Sequence, residues 1–160
     1  MRSGSRVAVL AVGLALVVAG CGPSQDETDL GYAAQAGDMA EVERLLDRGA
    51  DPNAYTEGGF TAVLSAAAGG NPRTLQMLLE AGGDATLSTD DGTSVLALVA
   101  YASGDLEVGR MLLEHGADPC VEAGWYQTSQ IGVETLRDLA EYSGNTEFAE
   151  FIEEAQQACP

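Results

Sequence analysis

"VERLLDRGADPNA", Val42 to Ala54, is the stretch whose reading decides the fold, because it returns twice. The copies are "LQMLLEAGGDAT", Leu75 to Thr86, and "GRMLLEHGADPC", Gly109 to Cys120. Gly49, Gly82 and Gly116 thereby fall at intervals of 33 and 34 residues. Self-similarity at a period of about 20 to 50 residues marks a stack of small supersecondary units. A second, small-residue segment precedes each copy: "LGYAAQAGD" at Leu30, "GGFTAVLSAAAGGN" at Gly58 and "DGTSVLALVAYASGD" at Asp91. A fourth, divergent copy runs through "TLRDLAEYSGNTEFAEFIEEA", Thr135 to Ala155.

Each segment carries helix start and stop signals. Asp38 with Glu41 has the spacing of a capping box, Asn71-Pro72 places an N-cap residue before a proline, and Asp105 and Asn145 are further N-cap candidates. Glycines 37, 49, 70, 82, 104, 116 and 144 fall where helices end and the backbone needs positive φ. Ala33-Ala34, Ala66-Ala67, Val99-Ala100 and Ala140 allow close helix approach, and the Leu-Leu pairs at 45-46, 78-79 and 112-113 fill the space between units. No helix pair buries these residues alone, so stability must come from stacked neighbours.

These residues resemble the ankyrin repeat, a turn followed by two antiparallel helices with a period of 33. The resemblance implies an all-α solenoid of about four helix-turn-helix repeats with short β-turn fingers, at about 29–54, 55–86, 87–119 and 120–160. The family's T-P-L-H tetrapeptide stands here as Thr61-Ala-Val-Leu64, Ser94-Val-Leu-Ala97 and Thr135-Leu-Arg-Asp138, each without the histidine. That leaves these repeats with one brace fewer. Repeat 3 has an extra residue near Tyr101-Ala102, and repeat 1 begins at its first helix. Glu147, Glu150, Glu153, Glu154, Gln156 and Gln157 give the last helix a wet outer face, so both ends are expected to be closed.

The amino end reads differently. "MRSGSRVAVLAVGLALVVAGC" has Arg2 and Arg6, then thirteen uncharged residues from Val7 to Ala19, fewer than the roughly 20 that span a bilayer. A basic end, an apolar core and small residues before a cut describe an export signal. Val18-Ala19-Gly20-Cys21 resembles the lipobox of bacterial lipoproteins, which implies lipidation at Cys21; an ordinary signal peptide with a chance cysteine is the alternative. The expected organisation is a signal over 1–20, acylated Cys21 and a polar tether over 21–28, and the repeat domain over 29–160. The expected location is the bacterial cell envelope, on the periplasmic face of the outer membrane or the outer cell surface.

Beyond Cys21 lie all 25 acidic residues, facing five arginines and no lysine. Such a field repels nucleic acid and anionic lipid headgroups and attracts cationic partners. Solubility and adaptation to salty surroundings explain the same composition.

Catalytic chemistry finds few residues to use. His115 is the single histidine and sits near a helix end, where favourable interaction with the helix C-terminus accounts for it. No P-loop or nucleophile elbow is present, Asp90-Asp91 lacks the spacing of an EF-hand, and cysteine and histidine are too few for a zinc site. The chain is expected to be a non-enzymatic, monomeric protein without metal or cofactor.

With Cys21 assigned to lipid, Cys120 and Cys159 remain as a pair for a disulfide, which an oxidising compartment favours. Their nearly equivalent positions in adjacent repeats argue against it, because packed helices lie about 8 to 10 Å apart and a bridge needs Cα atoms about 4.4 to 6.8 Å apart. Cys159 lies past the last helix, where the chain has room to fold back.

The resemblance implies a protein-binding module that scaffolds or protects a partner at the envelope, with an immunity protein against a secreted toxin and a structural envelope lipoprotein without a specific partner as the alternatives. Ankyrin domains are similar in binding proteins with their turn tips and first helices. Here those positions are Tyr55, Glu57, Phe60, Ser65, Asp90, Asp91 and Tyr101, which suit a partner with basic and apolar patches. Packing of Phe60 and Tyr101 between repeats is the equal alternative. From Asp118 to Thr135 is seventeen residues, against ten from Asp51 to Thr61 and from Asp84 to Ser94. The enlarged turn carries Trp125 and Tyr126, and two readings stand: a binding finger on the partner edge, or a lid over the last repeat.

Overall fold

A computed structural model of the chain describes residues 24–121 and 133–159. The described residues contain eight helices and no strands. They are α1 Gln25–Ala36, α2 Met39–Asp47, α3 Ala62–Ala68, α4 Pro72–Glu80, α5 Val95–Tyr101, α6 Leu106–Glu114, α7 Leu136–Tyr142 and α8 Thr146–Gln156. The odd-numbered helices stack on one another, the even-numbered helices form a second layer, and each pair closes around its own short turn. The expected all-α solenoid is therefore observed.

Close packing of the first helices follows from their small residues. Ala34, Ala66, Ala67, Val99, Ala100 and Ala140 are fully buried, as are Leu45, Leu78 and Leu112 of the second layer. Gly109 lets the phenylalanines of the last pair approach, since a Cβ there would meet the Phe148 ring at 2.6 Å. Phe148 is fully buried, with its ring tilted against Phe151 at a centroid distance of 5.5 Å.

The seven helix-ending glycines all take positive φ, from 61° at Gly104 to 93° at Gly82 and Gly116. Hydroxyls begin the first helices: Thr61, Ser94 and Thr135 accept from the backbone N–H groups of Leu64, Ala97 and Asp138 at 3.3, 3.2 and 3.1 Å. The tetrapeptides thus keep their capping residue although the histidine is missing. Asp38 and Asp105 cap α2 and α6 through Glu41 and Val108. Glu41 does not return the bond as a capping box would. Its carboxylate instead accepts from the Arg44 guanidinium at 2.6 and 2.8 Å, which holds Glu41 below the usual glutamate range.

Two sequence expectations give way here. The first does so only in part: Asn71 and Asn145 hold the expected N-cap positions of α4 and α8, but their side chains make no cap bond. Asn71 Nδ2 donates backward to the carbonyls of Ala34 and Gln35 at 3.4 and 2.8 Å, and Asn145 Nδ2 to Ala100 at 2.8 Å. Ser103 Oγ makes the corresponding bond to Ala67 at 3.2 Å. The last carbonyls of a first helix have no partner within that helix, and the following repeat supplies one. The second correction is the tether, because Gln25 to Thr28 form the opening of α1. Ser24 and Glu27 make a reciprocal capping box at 2.6 and 3.4 Å, and Arg48 pairs with Asp26 at 2.8 Å.

Cys120 and Cys159 are joined by a disulfide, with Cα atoms 5.8 Å apart. Helix α8 has eleven residues where α2, α4 and α6 have nine each. Its end is held on the preceding turn by Gln156 Nε2, which donates to the Pro119 carbonyl at 2.9 Å. The extra length and the fold-back bring Cys159 inside the separation of ordinary helix packing.

Candidate functional site

The turns between repeats project as hairpin fingers of one design. In the first, Thr56 N–H donates to Phe60 and Gly59 N–H to Thr56; in the second, Thr89 N–H donates to Thr93 and Gly92 N–H to Thr89, all at 2.9 Å. Gly59 and Gly92 take φ of 74° and 87°, the left-handed residue that closes a three-residue hairpin loop. The fingers lean on each other through Asp90 N–H, which donates to the Gly59 carbonyl at 3.1 Å. A Cβ on Gly59 would run into the Asp90 carboxylate.

At the base of the fingers the joint is polar. Asn53 uses both ends of its amide, Nδ2 donating to the Gly82 carbonyl at 2.9 Å and Oδ1 accepting from Asp84 N–H at 2.8 Å. Asp51, Asp84 and Asp118 each brace their own turn by accepting from the backbone N–H two residues on, at Asn53, Thr86 and Cys120. The Thr86 hydroxyl also donates to Asp84, which holds that carboxyl below the usual aspartate range.

Between α1 and the first finger lies a cleft of about 190 Å³. Thr28, Gly31, Tyr32 and Gln35 form its helix wall, Thr56, Glu57, Gly58 and Phe60 its finger wall, and Ser65 of α3 lies between them. Tyr32 is 70% exposed, Phe60 is half-buried against the core and Ser65 is buried. Glu57 is the sole charged residue of the lining. Helices α1, α3 and α5 and the fingers 55–60 and 88–93 carry Asp26, Glu27, Asp29, Glu57, Asp90 and Asp91 and no arginine. Arg44, Arg48, Arg73 and Arg110 belong to the second helices or their ends, and Arg137 on α7 pairs with Glu141 and Glu153.

Of the residues singled out from sequence, Glu57, Phe60 and Ser65 come together in this cleft. Tyr55 is 40% exposed, and its hydroxyl donates to the Ser88 carbonyl at 2.7 Å, tying the two fingers. Asp91 turns its carboxylate onto the Thr89 and Thr93 hydroxyls and the Thr93 N–H, and those bonds hold it below the usual aspartate range. Asp90 is exposed at the finger tip, and Tyr101 is exposed at the end of α5. His115 ends α6 with Nδ1–H donating to the Met111 carbonyl at 2.8 Å. Cys21, Trp125 and Tyr126 lie outside the described residues.

The turn-tip and first-helix positions expected from the resemblance do not include Tyr32, Gly31 and Gln35. A signal for Tyr32 exists in the 33-residue frame, where it stands one period before Ser65.

Comparison with known proteins agrees with this architecture. A family model described as ankyrin repeats (3 copies) matches residues 30–123. The mitochondrial disaggregase of Homo sapiens is 42% identical over 94 residues, covering 59% of this chain and 13% of that protein. Ankyrin repeat and SOCS box protein 6 of Homo sapiens is 35% identical over 100 aligned positions, covering 49% of this chain and 24% of that protein. An ankyrin repeat-containing protein of Treponema pallidum is 31% identical over 94 residues, covering 58% and 31%. With three stacked repeats matched in sequence and the same helix pairs and fingers in the structure, the chain belongs to the ankyrin-repeat family.

Proposed function

We propose that this chain is a protein-binding module, held on an extracytoplasmic membrane surface by acyl chains on Cys21, that takes a partner with basic and apolar patches. The observation that carries the reading is the placement of the arginines: acids occur on both layers, but the first helices and fingers of repeats 1 to 3 hold acids and exposed tyrosines with no arginine, while Arg44, Arg48, Arg73 and Arg110 lie on the second helices or their ends. Opposite charge steers a cationic partner onto that face, and aromatic anchors supply much of the contact energy. The address is supported by Val18-Ala19-Gly20-Cys21 and by the Cys120–Cys159 bridge, a bond that persists in oxidising compartments. Two acyl chains give stable anchoring where one gives only reversible binding.

The test is capture of partners by the full chain from detergent-solubilised membranes across a salt series. One stoichiometric partner, weakened as salt rises, is expected; no partner at any salt overturns the reading. A Cys21→Ser chain is expected to leave the membrane fraction, and unchanged membrane retention would sink the lipid anchor. The acidity also favours a sharper reading, in which the module neutralises a basic secreted toxin. A neighbouring gene for such a toxin, with protection lost on deleting this chain, would distinguish it.

A further inference from the structure

We propose that the cleft between α1 and the first finger is a subsite for one arginine side chain of that partner, an assignment that rests on the protein-binding reading above. Size sets the class of occupant. At about 190 Å³ the cleft is smaller than the roughly 300 to 1,000 Å³ of small-molecule pockets, and it suits a single long side chain.

Its walls set the chemistry. Tyr32, Phe60 and Glu57 line it, with Gln35, Thr28, Thr56 and Ser65 as its uncharged polar residues. Cations are drawn to aromatic faces. A guanidinium brings five donors in a planar fork and is more weakly hydrated than an ammonium, so it gains more from several fixed acceptors and loses less on leaving water. No arginine lines the cleft, and Arg48 at the end of α2 is paired with Asp26 of α1 at 2.8 Å.

Gly31 supplies a separate observation. Glycine weakens a helix interior, and Gly31 does not take the positive φ that explains the helix-ending glycines. In the following repeats the same position carries Leu64 and Ala97. A Cβ at Gly31 would stand 3.1 Å from Thr56 Cγ2 and 3.6 Å from Ser65 Oγ, projecting between helix and finger. The missing side chain lets Thr56 and Ser65 close onto α1 beside the cleft, and a methyl there has to push the finger wall aside.

The experiment titrates the full chain, in detergent micelles, with the peptide acetyl-Ala-Ala-Arg-Ala-Ala-amide, followed by backbone amide shifts. Matched peptides carry lysine, citrulline or norleucine in place of arginine. The arginine peptide is expected to shift Gly31, Glu57, Gly58 and Ser65 and to bind about tenfold tighter than the citrulline peptide, which keeps the shape without the charge. Glu57→Gln is expected to weaken binding about tenfold and Tyr32→Ala about threefold, with the remaining spectrum unchanged. Gly31→Ala is expected to abolish the shifts while α1 stays folded. Equal affinity for arginine and citrulline overturns the subsite, as do shifts scattered over the α8 glutamates and indifferent to Glu57→Gln. Partner capture that survives Glu57→Gln undiminished also overturns the subsite and leaves the binding-module reading standing.

Discussion

Asn53 and Cys120 occupy the same place in the repeat, four residues after the glycine that follows α2 and α6, yet they build different joints. Asn53 reaches the residues that follow α4 with two hydrogen bonds, whereas Cys120, at the start of the enlarged turn, bonds covalently to Cys159, which follows α8. Thr86, between them in the frame, directs its bonds to Asp84 of its own turn. A regular turn can be held by a side-chain amide because the next turn lies within its reach. The last helix pair is secured at the corresponding place, past the end of its second helix, by a covalent bond instead.

The largest effect should come from opening the covalent joint. Cys120→Ser with Cys159→Ser, or reduction of the wild type, is expected to cost about 4 kcal/mol in the chain-entropy model. Hydrogen exchange should show protection lost first in α7 and α8, while α1 to α4 hold. Uniform loss across the array would show that the bridge acts on the whole stack.

Asn53→Ala removes the hydrogen-bonded joint and should cost about 1–2 kcal/mol by denaturant unfolding, equally in oxidant and reductant. A redox-dependent cost would mean that the two joints are coupled. Conversely, Thr86→Asn should extend the Asn53 arrangement to the next turn and add about 0.5–1 kcal/mol. A loss of stability there would show that the bonds to Asp84 matter more.

The smallest effect concerns Asp91, whose depressed carboxyl makes its contribution to the second finger pH-dependent. A group lowered in the folded state contributes fully above its unfolded value, and the contribution fades as pH falls through the folded one. The wild type should therefore exceed Asp91→Asn in stability at neutral pH, with the gap closing below the ordinary aspartate value of 3.8. A gap independent of pH would assign the loss to geometry instead of charge.

The period, the helix-ending glycines and the hydroxyl caps were legible because each depends on residues close in the chain. Asn71 and Asn145 stand at the N-cap positions expected of them, but their side-chain bonds go 36 and 45 residues back, where no local capping rule looks. The start of α1 was legible in Ser24-Gln25-Asp26-Glu27 but was obscured by its polar composition, which also suits a tether. Fingers pointed to Glu57 and Phe60, yet the cleft needed α1 as its opposite wall, and Tyr32 joins it through packing that the sequence expresses only as a register with Ser65. Tyr55 and Asp91 have partner-like chemistry, and local hydrogen bonds engage both.

The backward bonds from Asn71, Ser103 and Asn145 give the array a polarity in time. A ribosome makes each first helix before it makes the residue that completes it, and the delay is 36 to 45 residues. Ala34 and Ala67 already accept from the Gly37 and Gly70 N–H groups, so what the next repeat adds there is a second bond, and at Gln35 it adds the Asn71 bond. Completion thus travels from the amino end toward the carboxyl end. Peeling from the carboxyl end reopens one set of carbonyls per repeat, and peeling from the amino end takes each set away with its own helix.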